Sequence, residues 1–333
     1  MSDHHQLAFI LLSSCLLDCG GEATDGSPKE RDTSNEDDKH HVVPDDDVTL
    51  ELEGEALSQV VTGERLCGLD EIGRVLCEGG GPPFDKPATK LVSASPNHRE
   101  DLLCMLLEGG EALCTYPYYS TNFTDYHAID LSLSDQTALI VTTEGEIVGS
   151  WGQYLKDKYY RKATAGVGFG CGINSSGGLS CFGFVEEAEI RQAPHGSYSI
   201  VFEVPDGHFR AIYANSLSAY APFCGVNEVG QATCWWLRNS EERPFSLNDA
   251  EDIRAVEAFS PDSKFLDLAI GYHETCGIVE MKRVVCWEHT DAGDPPPTLK
   301  TPMEVDAVSI AVGTNGVDFC ILDESGMPHC WES

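Results

Sequence analysis

The chain has 333 residues, with 55 Asp+Glu against 21 Lys+Arg and a formal charge of −34. So acidic a surplus argues against nucleic acid as a partner, because phosphate binding depends on clustered Lys and Arg that release counterions. Hydrophobic residues at 41% and charged residues at 23% are the proportions of a globular protein and not of a disordered one.

Residues 1–19 read as a leader. Leu7 to Leu12 is an uninterrupted apolar run, followed by Ser13, Ser14 and Cys15. Leu12-Ser13-Ser14-Cys15 resembles a bacterial lipobox, in which small residues before the thiol let the peptide fit the signal peptidase. Cys15 is therefore the expected lipidation site. Extending the apolar core to Leu17 makes Cys19 the alternative, although Asp18 suits that cleavage poorly. The core is short and only His4 and His5 stand in for a basic flank, so a frayed, uncleaved tail is the competing reading. No other stretch approaches the 18 or so apolar residues of a membrane-spanning helix. From Gly20 to Asp47 there are ten Asp/Glu, three Lys/Arg and almost nothing apolar. Such a stretch cannot bury enough surface to offset its ordering entropy, so residues 20–47 are expected to form an extended, flexible tether. His40 and His41 beside Asp45 to Asp47 read as part of that solvated linker in preference to a metal-binding tract.

Twelve of the fourteen cysteines fall into six pairs with one spacing: Cys67/Cys77, Cys104/Cys114, Cys171/Cys181, Cys224/Cys234, Cys276/Cys286 and Cys320/Cys330. A seventh copy, Leu139 to Gly149, keeps the pattern without cysteines. Six positions after each first cysteine stands a glycine: Gly73, Gly110, Gly145, Gly177, Gly230 and Gly326, with only Lys282 departing. Placed third in a three-residue hairpin loop, that glycine takes the left-handed conformation of a type I turn with a G1 bulge. In the first copy the loop is then Glu71-Ile72-Gly73, closed by Asp70 opposite Arg74. Counting outward, Cys67 faces Cys77 as a non-hydrogen-bonded pair, where Cα atoms lie about 4.5 Å apart, at the lower edge of disulfide geometry.

Two residues after each first cysteine stands Leu69, Leu106, Val141, Ile173, Val226, Ile278 or Leu322. These share a face with the cysteines, so that face is expected to be buried. A disulfide across so short a loop contributes on the order of 2–3 kcal/mol and belongs in an oxidising, extracytoplasmic compartment. Buried reduced thiols and a metal site are the competing readings. Zinc ligands, however, come from cysteines two to four residues apart, and no histidine spacing completes such a set. No metal or other cofactor is expected.

The copies begin at residues 67, 104, 139, 171, 224, 276 and 320, a period of 32 to 53 residues. Periods near 40–50 with several short strands per unit point to a propeller. Strand-like runs precede the hairpins at Leu57–Gly63, Leu266–Gly271 and Val308–Gly313, and an aromatic follows the second cysteine at Phe182, Trp235, Trp287 and Trp331, with Trp151 in the seventh copy. A strand ending in Gly, then Cys-x-Leu, a Gly turn and Cys-Trp-Gly resembles the repeat of the regulator of chromosome condensation family. Cys171-Gly-Ile173, Gly177 and Cys181-Phe-Gly183 carry the likeness best, and it spans roughly residues 57 to 333. It implies an all-β fold, a seven-bladed β-propeller with four-stranded blades, here within residues 48–333 behind the short disordered segment. The family's Gly-Gln-Leu-Gly segment is absent from every copy. The last copy stops at Ser333, short of strands, and the alternating Val48–Glu53 is expected to join the final blade and close the ring.

No catalytic constellation stands out: there is no H-E-x-x-H, no G-x-S-x-G and no phosphate loop. Gly166 to Gly172 is glycine-rich, but it lies in the strand-to-hairpin register of the fourth copy. His98, His127, His195, His208, His273, His289 and His329 are scattered, each read as a surface or capping residue. Asn122 and Asn174 open glycosylation sequons of the kind that arise by chance. Tyr116, Tyr118 and Tyr119 follow the second hairpin, and Tyr154, Tyr159 and Tyr160 follow the diverged copy. These six are candidate partner-binding residues, since exposed tyrosines anchor interfaces at low entropic cost; packing between blades is the alternative. The expected function is an extracytoplasmic binding or scaffold propeller at the cell envelope, lipid-anchored or secreted, monomeric, and not an enzyme. Its partner is an unidentified protein or envelope component, and the acidic loops favour a basic one. The rival reading is a glycan-active lyase or hydrolase with converging carboxylates at the propeller axis.

Overall fold

The computed structural model describes residues 56–62, 65–78, 86–94, 102–115, 123, 125–134, 137–150, 152–155, 159–184, 199–202, 204, 206–215, 222–238, 254–289, 297–313 and 316–332. Cys15, Cys19, the segment 20–47 and the strand expected at Val48–Glu53 lie outside them, as do Tyr116, Tyr118, Tyr119 and Trp151. The described residues form 24 strands and no helix. The strands make seven antiparallel sheets, four of three strands and three of four. These are the blades of a β-propeller, numbered one to seven along the chain.

The first strands are Leu57–Thr62, Ala88–Ala94, Ala128–Leu133, Tyr160–Gly166, Phe209–Ala214, Phe265–Ile270 and Ala307–Val312. The second and third strands of each blade form the repeated hairpin in the register that the spacing predicts. Cys67 faces Cys77, Gly68 faces Leu76 and Leu69 faces Val75. The six disulfides are Cys67–Cys77, Cys104–Cys114, Cys171–Cys181, Cys224–Cys234, Cys276–Cys286 and Cys320–Cys330. Their Cα atoms are 4.0–4.1 Å apart, closer than the spacing expected of an unlinked pair. In blade three the same two positions are Leu139 and Gly149, still directly opposite one another.

Blades three, four and five have the four strands expected of a blade, and blades one, two, six and seven have three among the described residues. The cysteine face is buried as expected at every paired cysteine except Cys330, whose burial depends on what lies beyond the third strand. Where a fourth strand is present, Cys181 and Cys234 are 0% and 1% exposed. In blade two the third strand ends at Cys114 with no fourth strand described, and Cys114 and its partner Cys104 are both buried. Cys330, on the last strand of blade seven, is only half-buried, although its partner Cys320 is buried. Blade six replaces the fourth strand with a single bridge from Lys300 to Cys286, and Cys286 stays buried.

The turn has the expected geometry. Gly73 N donates to Asp70 O at 3.1 Å and Asp70 N to Arg74 O at 3.0 Å. The six turn glycines have φ between 77° and 89°, and Lys282, at φ 60°, is the only other type of residue with positive φ among those described. The side chain that opens the turn carries a second signal. Asp70 Oδ1 accepts from the amides of Ile72 and Arg74, and Asn174, Asn227 and Asp323 repeat the pattern. A short acceptor at this position satisfies turn amides that would otherwise have only water.

The same turn also joins the blades. The carbonyl of each left-handed residue accepts a hydrogen bond from the first amide of the next blade's first strand: Gly73 from Ala88, Gly110 from Ala128, Gly145 from Tyr160, Gly177 from Phe209, Gly230 from Phe265 and Lys282 from Ala307. The seventh bond, Leu57 N to Gly326 O at 3.1 Å, closes the ring from the last blade to the first. Just beyond each bond the first strand carries a register shift, so that the second residue of all seven strands bulges.

Apolar packing follows this geometry, the cystine of one blade lying against the next blade. Cys67 and Cys77 pack with Leu91 and Met105. Cys104 and Cys114 pack with Leu131 and Ile140, and Cys171 and Cys181 with Phe209 and Phe223. Cys224 and Cys234 pack with Phe265 and Trp287, and Cys276 and Cys286 with Phe319 and Ile321. In blade three, Leu139 fills this place against Phe182. At the closure Leu57, Val60 and Leu66 pack on Cys320 and Leu322, with Cys330 at the edge of the cluster. The aromatics after the second cysteine are buried at Phe182, Trp235 and Trp287 and half-buried at Trp331.

One histidine departs from the surface role expected of it. His289 is half-buried, edge-on to Trp236 of the preceding blade with ring centroids 5.8 Å apart. Its Nδ1 lies 3.1 Å from Tyr272 O and its Nε2 2.9 Å from Thr275 Oγ1. This is the pattern of a neutral ring donating through Nδ1 and accepting from the hydroxyl. Burial lowers its pKa from 6.5 to about 4, opposed by the bond to Tyr272 and aided by His273.

Two expectations follow. A left-handed backbone costs an L-residue about 1–2 kcal/mol, so Lys282→Gly should stabilise the fold by roughly 1 kcal/mol after loss of the exposed, weak ion pair with Glu324. Gly326→Ala should destabilise it by more than that, because its Cβ falls 2.5 Å from Leu57 N. Urea midpoints of both variants check this, and a Lys282→Gly protein less stable than the parent contradicts it. The second concerns acid. Since folding prefers neutral His289, its contribution is complete above pH 6.5 and is lost as pH falls through about 4. The loss is on the order of 2 kcal/mol after allowance for partial exposure. His289→Asn should shrink the stability difference between pH 7.5 and 4.5; an unchanged difference contradicts the assignment.

Candidate functional site

Because each turn is bonded to the start of a first strand, the turns and the strand starts lie on the same face of the ring. Among the described residues, eight of the nine exposed large hydrophobic residues belong to that face. Ile72, Val229, Met281 and Met327 are in the turns, while Ile129, Tyr159, Leu266 and Val308 are at the strand starts; Leu299 is the ninth. Three of the latter occupy the bulged second position, which turns the side chain out of the sheet. Four residues after the first cysteine, five of the seven turns carry a glutamate: Glu71, Glu108, Glu228, Glu280 and Glu324. Three of the five pair with a neighbouring cation, Glu228 with Arg161, Glu280 with Lys264 and Glu324 with Lys282.

A cavity of about 430 Å³ opens at blade five, lined by Asp206, His208, Glu228, Val229, Trp235 and Glu257 among others. Its three carboxylates, of which Glu228 is paired with Arg161, suit a cationic side chain with an aliphatic stem. Trp235 is 1% exposed, and its Nε1 is buried with no hydrogen-bond partner.

The second cavity, about 370 Å³, is the axial channel, and residues of all seven first strands line it. The third residue of each strand faces it: Gln59, Lys90, Asp130, Lys162, Ala211, Asp267 and Ser309 in blade order. Several of these reach the next blade. Gln59 bonds both to Leu91 O at 2.6 Å and to Leu91 N at 2.9 Å. Lys90 Nζ lies 2.6 Å from Asp130 Oδ1, while Asp130 Oδ2 accepts from Ala163 N at 3.0 Å. Asp267 accepts from the amides of Leu268 and Ile310 and from the Tyr213 hydroxyl. Burial raises the Asp267 pKa against these bonds, and burial, with the nearby Asp267 charge, raises that of Tyr213 well above 10. Two carboxylates, Asp130 and Asp267, line the channel among the described residues. Asp130 and Asp267 stand on blades three and six, and each is engaged by its own neighbours.

The twelve paired cysteines are where the spacing puts them, sequestered in disulfides. Glu274, Cys276 and Cys286 come together in blade six, but sulfurs bonded to each other are not thiolate ligands. Burial raises the pKa of Glu274 there. Of the candidate tyrosines, Tyr159 is 74% exposed on the turn face, whereas Tyr160 is 4% exposed and packs with Leu139, Ile147 and Phe182. Alternation separates them: Tyr159 precedes the strand and Tyr160 is its first, inward residue. Tyr154 lies on the fourth strand of blade three, Gly152–Leu155. The glycine-rich Gly166 to Gly172 spans the turn between the first two strands of blade four: Gly166 ends the first, Phe169 begins the second, and Gly168 between them has φ 77°. The apolar turn face and the channel ring are the features that reading by cysteine spacing passed over. Their signals are the residues flanking the left-handed turn position and the third residue of each first strand.

No family model matches the chain, and no curated protein matches it. Solved structures do. The ectodomain of receptor kinase CR4 from Physcomitrella patens matches with TM-score 0.55 and 20% identity over 83% of this chain and 72% of that one. The CRINKLY WD40 ectodomain of the Arabidopsis thaliana receptor kinase ACR4 matches with TM-score 0.55 and 16% identity, over 83% and 95%. Yeast RCC1 (Prp20) matches with TM-score 0.51 and 10% identity, over 79% and 74%. At such identities the likeness is one of fold, and it places this chain among the β-propellers.

Proposed function

We propose that this protein is an extracytoplasmic binding module whose propeller engages another protein through its turn face. The observation that carries the reading is the concentration on that one face of eight of the exposed large hydrophobics among the described residues, since apolar surface gathered on one side of a domain marks an interaction site. The acidic cavity at blade five gives the partner a chemistry: a Lys or Arg side chain with apolar neighbours, docking beside Val229. Tyr159 belongs to this surface. The yeast RCC1 structure, of the same fold, is of a complex with Kap60. Six disulfides support an oxidising compartment. In this reading the leader places the protein at the cell envelope, lipid on Cys15, or on Cys19, holds it there, and the acidic segment 20–47 keeps the propeller off the membrane.

A photo-reactive residue at Val229 or Met281, in the full chain expressed with its own leader in the native host, tests the proposal. Both positions should give one discrete cross-linked species, which the additional change Glu257→Lys should reduce several-fold at Val229. The same probe at Glu288, away from the turns, should give none. Equal labelling at all three positions, or none at either turn, would overturn the proposal.

A further inference from the structure

The channel ring is polar at six of its seven positions, and four of these six are already engaged or carry no charge. Gln59 is bonded to the backbone of blade two, Lys90 and Asp130 neutralise one another, and Ser309 is uncharged. Blade five breaks the ring with Ala211, and on either side of the alanine stand the two ring charges that lack an opposite partner in contact among the described residues. Lys162, on blade four, is exposed and makes no ion pair among the described residues. Asp267, on blade six, is half-buried, and its bonds come from neutral donors only, the Tyr213 hydroxyl and two amides. The Lys162 charge acts on the Asp267 carboxyl from beyond ion-pair contact. The missing side chain at position 211 thus leaves room between a cation and an anion, in a cavity of about 370 Å³, within the size range of small-ligand sites.

We propose that this gap in the axial channel binds a small zwitterion of the α-amino-acid class, its carboxylate on Lys162 and its ammonium on Asp267 with the Tyr213 oxygen as a further acceptor. A simple anion would leave Asp267 facing it across the gap, and a simple cation would leave Lys162 facing it. Only a ligand with both charges meets both groups, and charge-assisted bonds of this kind are the stronger ones. The side chain of the ligand would lie along the channel over Ala211.

The test is calorimetric titration of the full, oxidised chain with L-alanine, L-serine and L-leucine in turn. Saturable binding of at least one is expected. Its N-acetyl and amide forms, each lacking one charge, should bind roughly tenfold or more weakly. Lys162→Met should weaken binding by a similar factor, and because Lys162 is exposed this variant does not put folding at risk. Ala211→Leu should abolish binding, with its melting temperature as the control on folding. The proposal is overturned if none of the three amino acids binds saturably, if the capped forms bind as well as the free ones, or if Lys162→Met binds like the parent.

Discussion

Everything else in this propeller depends on one backbone hydrogen bond made seven times, from the first amide of a blade to the carbonyl of the left-handed residue in the previous blade's hairpin turn. A single bond of this kind is worth only about 1 kcal/mol net, but its geometry decides where the next blade begins. The left-handed φ turns the carbonyl outward to meet the neighbour, and at Gly73, Gly145 and Gly326 the same closeness leaves no room for a side chain. At Gly73 a Cβ would lie 2.7 Å from Ala88 O, and at Gly145 2.8 Å from Tyr159 Cα. The glycine is therefore kept for two reasons, its own backbone and the blade beside it. Lys282 satisfies only the first requirement under strain, and its carbonyl still holds Ala307.

From that bond the functional surfaces follow. It sets hairpin turns and strand starts on one face, and the bulge beside it turns the second residue of each first strand outward there. Apolar residues at these places stay exposed because no neighbouring blade can cover them. The bulge also sets the third residue toward the axis, and a ring of seven such residues makes the channel. Stapling by the disulfides acts on the faces between blades, where each cystine is part of the apolar packing with the following blade. Blade three shows that the packing outlasts the bond: Leu139 replaces the cystine, stays fully buried and keeps the register.

The hairpins were legible in the sequence because cysteine spacing and turn glycine constrain one another within eleven residues. Register, turn type and pairing all follow from that local arithmetic. The half-burial of Cys330 does not, since it depends on a neighbouring strand that the hairpin itself cannot specify. The first strands were harder to read. Their third positions hold Gln, Lys, Asp, Lys, Ala, Asp and Ser, chosen for a ring that exists only after closure, so no residue type repeats to mark them. Connections between blades vary in length, which hides the strand starts of blades two to five. His289 likewise gave no sign of burial, since Trp236 beside it comes from another blade. Among the tyrosines one position separated surface from core, and period-two alternation at Tyr159 and Tyr160 would have told them apart had the strand boundary been known.

The central claim is that the ring is closed by Leu57 on Gly326 as firmly as any other junction. Amide hydrogen exchange of the oxidised protein, followed residue by residue, tests it directly through Leu57, Ala88, Ala128, Tyr160, Phe209, Phe265 and Ala307. The account predicts that all seven amides are protected together and exchange only when the whole propeller opens. An amide of Leu57 that exchanges freely while the other six stay protected would show an open ring and contradict it.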